Sequence, residues 1–208
     1  MNSKPTLGFW EHHAQPIRLL LHYLHIEYNV KCYSDRKVWS AEKATLGLDF
    51  PNLPYYIDGD VKLTHGWPIV KYLGRQRDLV ARDEPTIIQQ EIVENFLMEL
   101  RNTVIETIGT KTDYLTDETD YCTGIMEPKL KLLAKFLGDK QWLTGSISYV
   151  DFMCYTFIDM MRRYSPQTIA KFPTIAQYLQ RFEALPAVNH YMSSTPHKNW
   201  PLFASKAK

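Results

Sequence analysis

The stretch that decides the fold is LGLDFPNLPYYIDGDVKLT, residues 46–64. Its second half contains two short runs of strand-forming residues around Asp58-Gly59. Asp-Gly pairs favour the tight turns whose twist matches that of two antiparallel strands. The stretch therefore predicts a β-hairpin, and Pro54 in front of it predicts a turn that leads into the first strand.

The residues on both sides of the hairpin predict a small α/β domain. TLGFW, near the N-terminus, is a short apolar strand, and PIRLLLHYLHI begins with a proline that suits the first turn of a packed helix. After the hairpin, WPIVKYLGRQ predicts another helix with Pro68 in its first turn. We expect residues 1–80 to form one α/β domain.

A further strand is predicted between the first helix and the hairpin, in the segment EYNVKCYS, residues 27–34. Its apolar and polar residues alternate, which is typical of a half-buried strand. On this interpretation Tyr28, Val30 and Cys32 share the buried face.

Beyond residue 86 the pattern is helical only. SYVDFMCYTFID opens with Ser148, which can cap a helix while Asp151 reaches back to the first turn. We expect residues 86–208 to form an all-helical domain. From Thr86 onwards, apolar residues recur at every fourth position in one long helix, namely Ile88, Ile92, Phe96, Leu100, Val104 and Ile108.

Composition excludes several functional classes. The formal net charge is +1 and no run of basic residues stands out, so a nucleic-acid partner is not expected. The apolar runs are too short to span a membrane, and the N-terminus lacks the apolar core of a signal peptide. The three cysteines form no C-x-x-C motif, which indicates a reducing, cytoplasmic location without disulfides or bound metal.

Four separated segments resemble, in the same order, the cytosolic glutathione transferases, and most closely their mu class. They are LGLDFPNLPYYIDGDVKLT, IVENFLMELR, SYVDFMCYTFID and FPTIAQYLQRFEALPAV. The resemblance covers nearly the whole chain. It implies a thioredoxin-like N-terminal domain, an all-helical C-terminal domain and a homodimer that takes glutathione and apolar electrophiles as substrates.

The resemblance also implies which residues bind. In this family the proline at Pro54 is cis, the backbone of Leu53 pairs with glutathione like an added strand, and Phe50 inserts into the partner subunit as a key. The residues implied for glutathione are Trp10, Arg36, Trp39, Lys43, Asn52, Leu53, Pro54, His65, Gly66 and Glu99, the last from the second subunit. Those implied for the electrophile are Met98, Ile105, Gly109, Leu202 and Phe203.

The sequence departs from the family where sulfur is activated. Mu-class proteins carry a tyrosine at the position of Phe9, and its hydroxyl donates a hydrogen bond to the glutathione sulfur. A second departure is His65-Gly66, where the family has Gln-Ser at the start of a helix. The loop EHHA after Trp10 is also shorter than the corresponding family turn. His12 or His13 could replace the missing group as a base or a cation, although adjacent histidines in a loop are more often surface residues.

Two functions stay open at this point. One is a glutathione transferase whose conjugation is impaired, and the other is a non-catalytic dimer that binds apolar ligands, binds a partner protein or has a structural role. Other interpretations of single residues also stay open. Arg36 and Lys43 could be ordinary surface charges, and Phe50 could be a core residue. His22 and His25 have a spacing that could bind metal, but no further ligand accompanies them.

Overall fold

The computed structural model describes residues 4–11, 13–110 and 122–194, and for residues 103–110 it describes the backbone alone. The contacts form two compact units. The N-terminal unit extends to Arg77 and includes the described segment from Ala187 onwards, and the helical unit extends from Asp78 to Pro186. The domain limits given by the sequence, 1–80 and 86–208, remain a prediction.

The N-terminal unit contains a four-stranded mixed sheet and the helices that cover it. Its strands are β1 (Thr6–Trp10), β2 (Asn29–Tyr33), β3 (Tyr55–Asp58) and β4 (Val61–Thr64). Its helices are α1 (Gln15–Tyr23), α2 (Arg36–Glu42), which continues into a 3-10 turn (Lys43–Thr45), and α3 (Gly66–Arg75). The strand order is β2-β1-β3-β4, with β1 parallel to β2 and the other pairs antiparallel.

The predicted hairpin is confirmed. Asp58 pairs with Val61, which leaves a two-residue turn between β3 and β4. Gly59 lies in that turn with φ of +58°, a left-handed conformation that glycine adopts without steric cost. The peptide bond between Leu53 and Pro54 is cis, as the family resemblance implies.

The two faces of the sheet bury different side chains. Leu7, Phe9 and Tyr56 lie on one face, where Arg18 of α1 and Tyr72 of α3 contact them. The opposite face carries Gly8, Trp10, Tyr33 and Tyr55, and Trp39 of α2 packs against it. Helices therefore cover both faces of the sheet.

Glycine is required at position 8 because an aromatic ring lies directly over the strand. A Cβ atom on Gly8 would lie 2.1 Å from the ring of Tyr55, a separation that no real Cβ contact tolerates. The ring is 2 % exposed and cannot swing away without opening the core. The small residue in the middle of β1 thus leaves room for the ring of Tyr55.

The predicted buried face of β2 is wrong. Val30 is 59 % exposed and Cys32 is also exposed, whereas Tyr33 is almost fully buried. The physical reason is that the two faces of β2 are covered differently: Tyr33 lies on the face against which Trp39 of α2 packs, and Val30 and Cys32 lie on the other face. Alternation along the chain indicated the strand but not which of its residues are covered.

The described part of the helical unit consists of α-helices and one short π-helix (Cys122–Met126). The α-helices are α4 (Glu84–Thr110), α5 (Glu127–Leu137), α6 (Tyr149–Tyr164), α7 (Pro166–Ala170) and α8 (Pro173–Glu183), and α9 (Pro186–Met192) follows. Within the described ranges, no helix has both the length and the apolar character that a membrane span requires.

The long helix α4 is confirmed, and the apolar residues of its every-fourth series are covered to different degrees. Ile88 is 48 % exposed and Ile92 is 60 % exposed. Leu100 of the same series is 1 % exposed, and the other buried residues among the described side chains of α4 lie outside the series, namely Gln90, Val93 and Leu97. A continuous apolar stripe at helical spacing indicates a helix, yet it does not by itself indicate which face is covered.

The start of α6 is organised by the buried carboxylate of Asp151, as the sequence predicted. Its Oδ2 accepts hydrogen bonds from the backbone N–H of Ser148, at 2.9 Å, and from the Ser148 hydroxyl, at 3.0 Å. Its Oδ1 accepts from the backbone N–H of Leu143 and from the hydroxyl of Tyr178, each at 3.1 Å. Desolvation raises the pKa of Asp151 to about 6, and these hydrogen bonds oppose that rise.

Candidate functional site

The cluster on the α2 side of the sheet brings together three of the residues implied for glutathione, Trp10, Trp39 and Leu53. Trp39 is buried between Tyr33, whose ring centroid lies 5.2 Å away, and Tyr55, at 6.2 Å. Edge-on and stacked aromatic contacts of this kind hold rings in fixed orientations. The indole of Trp39 is therefore held in a fixed orientation within this cluster.

Helix α2 presents Arg36, Trp39 and Lys43 on one face, because positions i, i+3 and i+7 lie above one another in a helix. Arg36 is the first helical residue and Lys43 is the C-cap. Both side chains are exposed, and neither has a carboxylate partner within the part of the chain that the structure describes. Two cations beside an indole N–H are a suitable recognition set for a carboxylate.

A hydrogen-bonded group joins the loop before β3 to the start of α3. The Asn52 Nδ2 and His65 Nε2 atoms lie 2.9 Å apart, and His65 Nδ1 lies 2.9 Å from the Thr64 hydroxyl. The backbone N–H of His65 donates to the carbonyl of Pro54 at 2.9 Å, and the N–H of Leu53 donates to Asn52 Oδ1 at 2.8 Å. The structure thus brings Asn52, Leu53, Pro54 and His65 together.

Gly66 begins α3 directly after His65, so its backbone N–H lies at a helix N-terminus, where anions are favoured. His65 itself has a positive φ of +68°. A Cβ on Gly66 would meet nothing within 4 Å, so a serine fits at this position without rearrangement. A lack of space is therefore not the reason for glycine at this position. Relative to the serine that the resemblance implies, Gly66 simply lacks the hydroxyl.

Phe9 lies near the C-terminal end of β1 and is 3 % exposed. The guanidinium carbon of Arg18 lies 5.2 Å from the centroid of its ring, a cation–π distance. Arg18 is itself buried, and burial lowers the pKa of its guanidinium. The position at which the resemblance implies a phenol is thus filled by a packed benzene ring next to a cation.

Sequence reasoning missed the residues that hold Arg18. Its Nη2 donates to Gln15 Oε1 at 2.8 Å, and the hydroxyl of Tyr191 donates to the same oxygen at 3.1 Å. Tyr191 also stacks on His22, with ring centroids 4.2 Å apart. The available signal was an arginine inside the apolar run PIRLLL. Charged residues are rarely buried unless they are paired, so a buried arginine at this position indicates that other residues hold it.

The other residues proposed at the sequence level have varied surroundings. His12 lies outside the described residues, as do Leu202 and Phe203, and of Ile105 and Gly109 only the backbone is described. His13 is exposed, and its backbone N–H donates to the carbonyl of Trp10 at 2.8 Å. Met98 is 41 % exposed on α4, and Glu99 forms an ion pair with Lys129 at 2.6 Å.

Metal ligands do not cluster in the part of the chain that is described: no group of three histidine, cysteine or acidic side chains could hold an ion there. His22 is stacked on Tyr191, and desolvation, with smaller contributions from Arg18 and His190, lowers its pKa. His25 is exposed at the end of α1. The two histidines therefore have different surroundings.

Phe50 is the most exposed large apolar residue of the N-terminal unit as described, with 78 % of its surface accessible. It lies in the loop between the 3-10 turn and β3. The alternative interpretation of Phe50 as a core residue under this loop does not hold, because a core side chain would be covered.

The mixed four-stranded sheet, the cis-proline loop and the separate helical unit define the glutathione transferase fold. The chain belongs to the glutathione S-transferase family. Residues 95–195 match the family described as "Glutathione S-transferase, C-terminal domain". The chain is 38 % identical to Glutathione S-transferase Mu 2 of Rattus norvegicus, over 97 % of this chain and 96 % of the relative.

Another mu-class relative and a solved structure agree with this. Glutathione S-transferase Mu 2 of Mus musculus is 37 % identical, again over 97 % of this chain and 96 % of its own. The crystal structure of the glutathione S-transferase Blo t 8 superimposes with a TM-score of 0.85 at 34 % identity, covering 93 % of this chain and 94 % of that one. Similarity of this extent along the whole chain supports the mu-class resemblance.

Proposed function

We propose that this chain binds glutathione at its N-terminal unit but conjugates it to electrophiles only slowly. Binding is supported by α2, which offers two exposed cations and the Trp39 indole to a carboxylate. Slow conjugation is supported by one observation above the others: the residue near the end of β1 is Phe9, whose ring has no proton to donate. The proposed function is therefore recognition of glutathione with weak activation of its sulfur.

The physical argument concerns the thiol. A free thiol has a pKa of about 8.5, so at neutral pH only a few per cent is the nucleophilic thiolate. A hydrogen bond to the charged form contributes about 1.5–3 kcal/mol, which corresponds to a pKa lower by about one to two units. Phe9 preserves the packing of an aromatic ring and omits this contribution. Bound glutathione is therefore expected to stay mostly protonated.

Apolar electrophiles are the proposed second substrates, as for the family in general, and the proposed location is the cytoplasm. The location is supported by the cysteines, since Cys32, Cys122 and Cys154 are all free thiols. Free thiols persist in a reducing compartment, which is also where glutathione is abundant in its thiol form.

The test combines retention and turnover. The purified chain is passed over immobilised glutathione, and conjugation of a generic aryl halide is followed against the uncatalysed rate. We expect retention together with turnover only slightly above background. Fast turnover, with a sulfur shown by ultraviolet absorbance to ionise below neutral pH, would contradict the proposal. Flow-through without turnover would instead favour the non-catalytic function.

A homodimer in which Phe50 acts as the key is part of the proposal, and its exposure supports it. Covering an apolar side chain that has 78 % of its surface accessible lowers the free energy, so a partner subunit that buries it is stabilised on this surface. Phe50→Ser is therefore expected to shift the protein from dimer to monomer in sedimentation velocity experiments.

The matched control is Val38→Ser, which changes another exposed apolar residue of the same unit, 51 % accessible on α2. This variant is expected to sediment like the unmodified protein. A dimer that survives Phe50→Ser would show that residue 50 is not the key.

A further inference from the structure

The amide orientation of Asn52 follows from its two neighbours. The N–H of Leu53 can only donate, so the atom that faces it at 2.8 Å is the Oδ1 of Asn52. The Nδ2 of Asn52 then faces His65 Nε2 at 2.9 Å and donates to it. His65 Nε2 must accept, so the neutral imidazole carries its proton on Nδ1 and donates it to the Thr64 hydroxyl at 2.9 Å.

These contacts form a closed set around the backbone of Leu53. The imidazole of His65 holds the amide of Asn52, and that amide occupies the one N–H that Leu53 has. His65 is fixed in turn by its own N–H, which donates to the carbonyl of Pro54, and by Thr64. Asn52 and His65 are both exposed, so their hydrogen bonds compete directly with water and with a ligand.

A peptide that pairs with Leu53 as an added strand needs that N–H as a hydrogen-bond donor. We propose that His65 is a positioning residue that keeps Asn52 on the Leu53 N–H, so that glutathione binds only after this latch of Asn52 and His65 has opened. The inference rests on the proposed function and extends it. Free energy spent on opening the latch is subtracted from binding, so the affinity is lower than the recognition residues alone would give.

The test uses His65→Ala. Alanine removes the imidazole and keeps the Cβ, so the residue at φ +68° does not gain the conformational freedom that glycine would bring. S-methylglutathione is the probe, because its sulfur cannot ionise and Phe9 therefore has no part in the result. We expect its Kd, measured by isothermal titration calorimetry, to fall about tenfold, the factor that corresponds to one net hydrogen bond. His190→Ala, which removes an exposed histidine on α9, is the control and should leave the Kd unchanged.

A second measurement does not depend on a ligand. Hydrogen exchange of the Leu53 amide, followed by NMR in the full chain, is expected to be several-fold faster in His65→Ala than in the unmodified protein or in His190→Ala. Equal exchange rates would overturn the latch. An unchanged or higher Kd in His65→Ala would also overturn it, while leaving the glutathione site intact.

The two proposals can fail separately. If the Leu53 amide is protected by His65 but no variant binds S-methylglutathione, the latch stands and the proposed function fails. If every variant binds with the same Kd, the proposed function stands and the latch fails.

Discussion

Phe9→Tyr is expected to raise kcat/KM for conjugation by about 10- to 100-fold, the factor that one to two pKa units of thiol ionisation gives at neutral pH. The added hydroxyl supplies the hydrogen bond to the thiolate that the benzene ring cannot donate. The neighbouring Arg18, with its guanidinium carbon 5.2 Å from the ring centroid, helps to keep that ring in place. The measurement is steady-state kinetics with an aryl halide, accompanied by an ultraviolet titration of the bound thiol.

Adding His65→Gln and Gly66→Ser to Phe9→Tyr is expected to raise conjugation further, to orders of magnitude above the unmodified protein. Gly66 has open space where the serine side chain would lie, so this part of the change is not expected to disturb the start of α3. The serine returns a hydroxyl to a helix N-terminus, where a carboxylate is favoured. Substrate KM should fall as a result, while Phe9→Tyr acts mainly on the chemical step.

Phe136→Tyr is the matched control, since it adds a hydroxyl to a half-buried ring of the helical unit. It should leave kcat/KM as it is in the unmodified protein. If the triple variant is no faster than the unmodified chain, then the absence of the tyrosine hydroxyl and of Gln-Ser does not limit the reaction. In that event the ring of Phe9 is not what slows conjugation.

Asp151→Asn is expected to lower the free energy of unfolding by about 1–3 kcal/mol, because it leaves one buried backbone N–H unsatisfied. Each carboxylate oxygen accepts two hydrogen bonds, and the asparagine NH₂ group must replace one oxygen. Whichever oxygen is replaced, the NH₂ group then faces one backbone N–H, which can only donate, and one hydroxyl, which can turn to accept, in a site that is fully buried. The measurement is urea unfolding followed by circular dichroism.

The pH dependence of the free energy of unfolding is a second measurement of the effect of Asp151→Asn. Burial raises the pKa of Asp151 from its ordinary 3.8 to about 6, so the folded state binds this proton more tightly than the unfolded state. A raised folded-state pKa contributes stability below the unfolded value and loses it as the pH rises through the folded value. The stability contributed by this group therefore declines between about pH 4 and pH 6, and Asp151→Asn should lack that decline.

Asp139→Asn makes the same chemical change at an exposed aspartate between α5 and α6. Its urea midpoint should equal that of the unmodified protein. An equal midpoint for Asp151→Asn would mean that the cap at the start of α6 contributes nothing to stability.

Local sequence signals were sufficient wherever neighbouring residues decide the structure. Asp58-Gly59 indicated the hairpin because turn geometry depends on the φ values that two adjacent residues allow. Ser148 and Asp151 indicated the start of α6 because a cap is made within one turn of chain. The family resemblance added what local rules do not contain, namely the cis bond before Pro54 and the α2 face with Arg36 and Lys43.

The sequence failed where burial depends on a distant neighbour. Val30 and Ile92 look like core residues in their own segments, yet both are more than half exposed. Periodicity specifies which residues share a face, but coverage of that face depends on the other elements that pack there. For Val30 the deciding fact is that α2 packs on the opposite face of β2, the face that carries Tyr33.

The sequence by itself determined the elements of this protein, its family and the absence of a phenol at Phe9, because these depend on residue identity and on short-range spacing. Only the tertiary structure decided that His65 holds Asn52 on the Leu53 N–H, and that Arg18 lies against Phe9 within reach of Gln15 and Tyr191. The physical reason is that a hydrogen bond depends on distances of about 3 Å between groups that can be far apart along the chain, and no local propensity encodes such distances.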